Sequence, residues 1–497
     1  MKKLYRFSAI ALLVLPLVFT SCSDYLDRDD DDNITEADVF ARYEKVNGLV
    51  SDVYAAAKKA DRPLVFFEHF SNSAITDECE GTNVEGNITN NFNNGAWNPN
   101  SLPGSVGQYW EALYEGIRKA NLIIENVQKY NTPDNPQQDG DLRNRIGEMY
   151  FMRGYFHMLL LRMYGEAPYI DRVINAGDNM DFKKESVHSM VEKIVTDAQT
   201  AYGMVPNKYV KTSENFGRVD KGACLGLISF VRWVAATPLW NGASQYGYNL
   251  RRVFENEYAY DATRWRKAKE AAKAVLDFEV GGTKRYSLYT KHDANDFKDP
   301  ADGNLNDSRV YARLWDMFYD MDAFANEYVF FMTKSKDQAW QGDIYPPSRE
   351  GSSRQQPVQE QVDEYEYIVG DYGYPVYSAE ARKGGYDDTN PYVKGTRDPR
   401  FYRDVIYHGA PYRNNKNESK TINTASGSDK IGATNATTTG YYLRKFQQES
   451  WNKSGNFSIN APAIWRLPEF IYIYAEACNE LGEDIDEAYK LVNTVRE

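Results

Sequence analysis

Residues 108–127 read QYWEALYEGIRKANLIIENV. Trp110, Leu113, Ile117, Ala120, Ile124 and Val127 recur every third or fourth position. A helix that turns once in about 3.6 residues gathers all six on one face, so the spacing predicts an amphipathic helix with a single apolar stripe. The same period returns along the chain. Leu142, Ile146, Met149, Phe156, Leu159 and Met163 mark a second face that ends near Gly165 and Pro168, and 184–203 gives a weaker, more polar one. Asp220 caps KGACLGLISFVRWVAA, which Pro238 stops, and Asp261 caps a helix reaching about Phe278. Pro468 sits in a first helical turn before EFIYIYAEACNEL (469–481), and Ile485–Glu497 starts a partner helix. At the other end, Thr35-x-x-Asp38 is a capping-box-like start for apolar positions that run to about Ala60.

These elements pair as helix-turn-helix units: 36–60 with 108–129, 142–164 with 184–203, 217–236 with 262–278, and 467–482 with 485 onward. A helix pair cannot bury its apolar face alone and must stack on its neighbours. The expected fold is therefore mainly α: four tetratricopeptide-like pairs forming an α-α superhelix within one domain, 34–497. Trp110-x-x-Leu113 opens like the tetratricopeptide motif, although Tyr114 stands where glycine is expected. Two long loop-rich insertions, 61–107 and 280–463, interrupt the pairs. Insertions into a repeat array collect on one face, which is often the binding face. Gly427–Gly440 reads as a low-complexity, mobile surface segment. Glu497 ends the chain inside a helical pattern with no C-cap signal, so a C-terminal truncation is expected.

The first insertion contains NFNNGAWNPN (91–100), a tryptophan among turn formers. Trp97 lies on no helical or strand stripe; either it pins the loop or it faces outward to hold something flat. The second insertion holds Trp315, Trp340, Tyr345, Tyr372, Tyr374, Tyr377 and Trp451, most of them beside Gly, Pro, Asp or Asn. Sugar rings pack a C–H face on an aromatic plane, while Asn, Asp and Arg replace the water around their hydroxyls. Any single aromatic here fits loop anchoring at least as well. As a group they point to one exposed platform, with Trp97 read as facing the ligand.

The chain has 497 residues, 14% of them aromatic, with 38 Tyr and 9 Trp. A net charge of −13 argues against nucleic acid, whose phosphates such a surface repels. MKK and Arg6 form a basic n-region, and FSAIALLVLPLVF (7–19) is an apolar stretch too short to span a bilayer. It leads into Thr20-Ser21-Cys22, similar to a lipoprotein signal (1–21) cleaved before a lipidated Cys22. Acidic SDYLDRDDDDN completes a tether over 22–33. Cys79, Cys224 and Cys478 suggest neither a disulfide framework nor a zinc site, and the latter two fall on apolar helix faces. GxSxG, HExxH and GxxxxGK[ST] are absent, and histidines 69, 157, 188, 292 and 408 lack ligand spacing. Asp302-x-Asn304-x-Asn306 fails as a calcium loop, because Asp307 replaces the glycine and Arg313 the bidentate glutamate. No catalytic residue, metal or cofactor is expected.

Several blocks together resemble the SusD/RagB family of outer-membrane glycan-binding lipoproteins. They are CSDYLD (22–27), NNGAWNP (93–99), YWEALYEGIRKANLIIENV (109–127), GEMYFMRGYFHMLLLRMYGEAPYI (147–170), GRVDKGACLGLISFVRWVAATPLWN (217–241), QPVQEQVDEYE (356–366), DPRFYRDVIYHG (398–409) and WRLPEFIYIYAEACNELG (465–482). The resemblance implies a non-enzymatic surface protein, lipid-anchored to the outer membrane and facing the cell exterior. It implies capture of an oligosaccharide or polysaccharide for a SusC-like TonB-dependent transporter. Trp97 and Asn98 match the family's sugar-contact location in the first insertion; Trp315, Trp340 and Tyr345 match the second only by region. The alternative is a tetratricopeptide-like interaction scaffold, or a peptide-binding partner of the transporter, without a sugar site.

Overall fold

The computed structural model describes residues 35–60, 70–82, 88–98, 100–130, 136–209, 214–243, 254–290, 317–318, 320–332, 342–393, 395–413, 419–447 and 463–496. The leader, Cys22 and its tether, His69, His292, the 302–313 loop, Trp315, Trp340 and Trp451 lie outside them.

Thr35 begins a capping box: its hydroxyl accepts from the Asp38 N–H at 3.2 Å, and the Asp38 carboxylate accepts from the Thr35 N–H at 3.0 Å. The helix so started ends at Phe40, and a break at Ala41-Arg42 divides the predicted 36–60 element. The long helices are α1 (Tyr43–Ala60), α2 (Gly104–Tyr130), α3 (Pro136–Tyr164), α4 (Val187–Met204), α5 (Lys221–Ala236), α6 (Ala262–Leu276), α7 (Leu467–Leu481) and α8 (Ile485–Arg496). Asp220 and Asp261 cap α5 and α6 through the N–H groups of Ala223 and Thr263, and Pro468 lies in the first turn of α7. Both α2 and α3 start earlier than their apolar stripes, because polar first turns carry no periodic signal.

Each long helix packs on the next, so the four predicted pairs stack into one continuous array. The array shares a single apolar core. On α2 the stripe buries Leu113, Ile117, Ala120, Ile124 and Val127, while Trp110 stays at the edge with its ring 4.9 Å from Tyr164. Gly116 lets α2 approach α3: a Cβ there would lie 2.5 Å from the Phe156 ring. Cys224 and Cys478 are buried free thiols in the core.

Polar groups fix how the helices sit. Glu148 of α3 is 0% exposed, and its carboxylate accepts from Arg145 (2.5 Å), Arg218 (2.8 Å), Tyr209 (2.7 Å) and Tyr54 of α1 (3.0 Å). One turn further on, Arg153 holds Asp197 of α4 and the Asn121 amide oxygen of α2. A buried charge is tolerated only when it is paired and hydrogen-bonded, as these are.

The second insertion leaves after α6 and returns through the strand Ala463–Arg466, which pairs antiparallel with Tyr328–Phe331, so α7 still packs on α6. Its described parts hold short strands and helical turns where the sequence suggests loops. Gly427–Gly440, expected to be mobile, is pinned instead. Ala436 and Thr437 are buried, and the Tyr442 hydroxyl donates to the Asp429 carbonyl at 2.8 Å and accepts from the Thr437 N–H. Low complexity there reflects small residues in tight turns.

Replacing Glu148 with Gln turns one acceptor oxygen into a donor facing two of the four donors, and leaves two arginines without an anion. The expected cost is about 3–5 kcal/mol, read as a lower denaturation midpoint. Glu192 offers a pH test. Hydrogen bonds from Arg232, then Lys267, hold its carboxyl down at about 2, against a partial opposing push from burial. This tie links α4 to α5 and α6, and its stabilisation is present above the ordinary glutamate range and lost as pH falls toward 2. Glu192→Gln should therefore lower stability at neutral pH, by no more than about 1 kcal/mol for so exposed a pair, and leave stability near pH 2 unchanged, which flattens the acid limb of the stability–pH curve.

Candidate functional site

The first insertion is built around Phe70 and Ala74, on which Ile75, Ile88 and Trp97 pack. The helix Ile88–Asn93 stops at Gly95, whose φ of 71° is the left-handed conformation that glycine adopts without strain. Trp97 then folds back, its ring 4.9 Å from Phe92 and nearly perpendicular to it. Trp97 is partly buried and anchors its own loop. Next to it, Asn98 is exposed, and its side-chain oxygen accepts from the Asn100 N–H at 3.0 Å, closing a turn.

A three-stranded antiparallel sheet ties this insertion to the second. Its order is Ile75–Thr76, Cys79–Gly81, Gln355–Pro357. Gln355 and Gln356 are both buried. The Gln355 side chain accepts from the Ser71 N–H, and that of Gln356 from the Leu443 N–H, each at 2.7 Å. The chain continues from this sheet into the short helix Gln359–Asp363.

That helix supports a tyrosine ledge. Asp363 accepts from the Gln359 amide at 2.7 Å and from the Tyr377 hydroxyl at 3.2 Å. Gln359 in turn accepts from the Tyr441 hydroxyl at 2.6 Å, and Tyr441 shares a 2.5 Å hydrogen bond with Tyr392. Tyr377 is 54% exposed, and Tyr372, on the hairpin of Tyr367–Val369 with Tyr372–Tyr374, is 69% exposed. Partial burial and then the Asp363 charge push the Tyr377 phenol up to about 12, so it stays a hydrogen-bond donor at neutral pH. Beneath, Arg397 closes the end of the Gln359–Asp363 helix by donating to the carbonyls of Val362 (2.6 Å) and Tyr365 (2.7 and 3.0 Å). The ledge thus offers flat rings with fixed donors and acceptors around them.

Tyr345 is corrected. It is fully buried in a cluster with Ile406, Ala410, Tyr412, Ile422 and Tyr442, and the Arg349 guanidinium lies 4.8 Å from its ring centre and 5.1 Å from that of Tyr412. It is a core residue, closed to any ligand in this structure. Trp97 and Asn98 share one turn, whereas Trp315 and Trp340 fall outside the described residues. Asp363, Gln359, Tyr392 and Tyr441 are functional candidates that the sequence reading missed, although QPVQEQVDEYE passes through two of them. His157 is no general base: burial drives it down to about 3, and both ring nitrogens are used, with the Arg153 carbonyl and the Ile170 N–H.

Trp97→Ala removes a half-buried anchor and should lower stability by about 1–2 kcal/mol, with the helical circular dichroism signal retained. A midpoint equal to the wild type's would show that the ring packs on nothing.

Comparison with known proteins gives two family matches. Residues 24–231 match a SusD-like family described as starch-binding and associating with the outer membrane, and residues 313–497 match the SusD family. A SusD-like protein P2 of Formosa agariphila is 24% identical over 202 residues, 40% of this chain and only 38% of that relative's length. A SusD-like protein from Bacteroides fragilis superposes with a TM-score of 0.69 at 20% identity, covering 95% of this chain and 80% of the other. A SusD-like carbohydrate-binding protein of the same species gives 0.64 at 14% identity, covering 90% and 75%. A SusD homologue from Bacteroides thetaiotaomicron gives 0.62 at 15%, covering 94% and 80%. With both family matches in chain order, together spanning most of its length, this chain belongs to the SusD/RagB family.

Proposed function

We propose that this chain is a non-catalytic, lipid-anchored protein on the outer face of the outer membrane. It captures oligosaccharide and passes it to a SusC-like TonB-dependent transporter. The observation that carries this reading is Tyr377, an exposed ring whose hydroxyl is tied into the Asp363–Gln359–Tyr441 hydrogen-bond chain, with the exposed Tyr372 five positions before it on the adjoining hairpin. Flat rings take the C–H faces of sugars, and the fixed donors and acceptors repay the hydroxyls for lost water. The contact area per ring is modest, which suits a protein that must release what it holds. Cys22 supplies the anchor in this reading, and two or more acyl chains make it stable. Trp97 and Asn98 contribute through the exposed edge of their turn, and Trp315 and Trp340 are further contacts from the second insertion.

The test is affinity electrophoresis of the chain lacking its first 32 residues, through gels containing soluble starch, β-glucan, xylan or mannan. At least one polysaccharide should retard the wild type. Tyr377→Ala should weaken that retardation severalfold, about 1 kcal/mol for one stacking ring, with circular dichroism unchanged. Free migration in every gel would overturn the reading and point to a peptide ligand or a transporter scaffold.

A further inference from the structure

A groove of about 390 Å³ lies where α7 meets α5 and the strand Ala463–Arg466. It falls within the size range of small-ligand sites. One stripe of α7 forms its wall: Glu469, Tyr472, Ile473 and Glu476 follow the i, i+3, i+4, i+7 pattern. Trp233 closes the opposite side, and its ring N–H donates to Glu476 at 2.7 Å. Tyr472 is 46% exposed, an unusual position for a tyrosine beside an apolar floor. We propose that this groove is a second saccharide subsite, holding one or two sugar units on residues separate from the tyrosine ledge.

The lining selects the ligand class. Two aromatic side chains, Trp233 and Tyr472, flank an apolar floor that includes Ile473. The positive charges around them already face partners. Arg466 is paired with Glu327 at 2.9 Å, Arg162 of α3 faces Glu469, and Arg400 stands near Tyr472. An anionic ligand would be repelled by the Glu469 and Glu476 carboxylates that line the groove, whereas a neutral polyhydroxyl ring would find apolar faces with acceptors between them. The Glu469 carboxylate makes no hydrogen bond or ion pair with a described residue, yet it lines the groove. Burial raises it to about 7 against the pull of Arg162 and Arg466, so near neutrality it can either donate to or accept from a sugar hydroxyl.

This subsite rests on the glycan-binding reading, and the experiment separates the two. The same four polysaccharide gels are run with Tyr472→Ala, Glu469→Leu, Glu469→Gln and the double variant Tyr377→Ala/Tyr472→Ala, each checked by circular dichroism. Tyr472→Ala should weaken retardation about threefold to tenfold. Glu469→Leu should weaken it too, while Glu469→Gln, which still donates and accepts, retains it. The double variant should show the product of the single effects, because the two sites share no residue. If a polysaccharide retards the wild type and both Tyr472→Ala and Glu469→Leu behave identically to it, the subsite is refuted and the glycan reading stands. If none retards the wild type, the glycan reading fails and the subsite falls with it.

Discussion

A single carboxylate sets the register of the first half of the molecule. Glu148 sits at full burial with two arginines and two tyrosines around it, and those partners come from three parts of the chain: α1, α3 and the segment leading into α5. Apolar faces alone would allow α1 to slide along α3, because hydrophobic contact is not directional. Four hydrogen bonds converging on one carboxylate oxygen pair do not allow that. Arg153 repeats the device one step along, joining α2, α3 and α4 through Asn121 and Asp197. The array is thus held by burial and indexed by buried polar groups.

The helical half was legible because its signals are local. The α2 stripe, the Asp220 and Asp261 caps and Pro468 each act within one or two turns of sequence, and the structure places them as expected. Where the period was blank, at the polar first turns of α2 and α3, the boundaries slipped by several residues. The insertions were harder for the opposite reason. Tyr345 stands before two prolines in a polar neighbourhood, and reads as a surface aromatic. What buries it, Tyr412 and Tyr442, arrives from about seventy to a hundred residues away, and Arg349 slides over its face. Nothing within its own segment announces that.

The same logic explains the ledge. Asp363 and Gln359 carry no motif; they matter because Tyr377 and Tyr441 reach them from later in the chain. A surface assembled in this way draws its groups from several segments of the second insertion, so one segment can change without disturbing the helices below. Trp97 shows the limit of composition as a guide. A tryptophan among turn formers suggested an outward-facing ring, but Phe70, Phe92 and Ala74 use it to hold the loop together.

The buried glutamines have a kinetic side. Gln355 bonds Ser71 across 284 positions of sequence, and the strand it belongs to joins the two insertions. Neighbouring helices can dock as soon as each pair exists, since their contacts are close in the chain. The sheet must wait for a loop of that length to close, with all the entropy that closure costs. The scaffold can therefore form while the insertions are still searching for each other. The insertion face is then among the last parts to take shape, so the proposed binding surface exists only in a molecule whose folding has already finished.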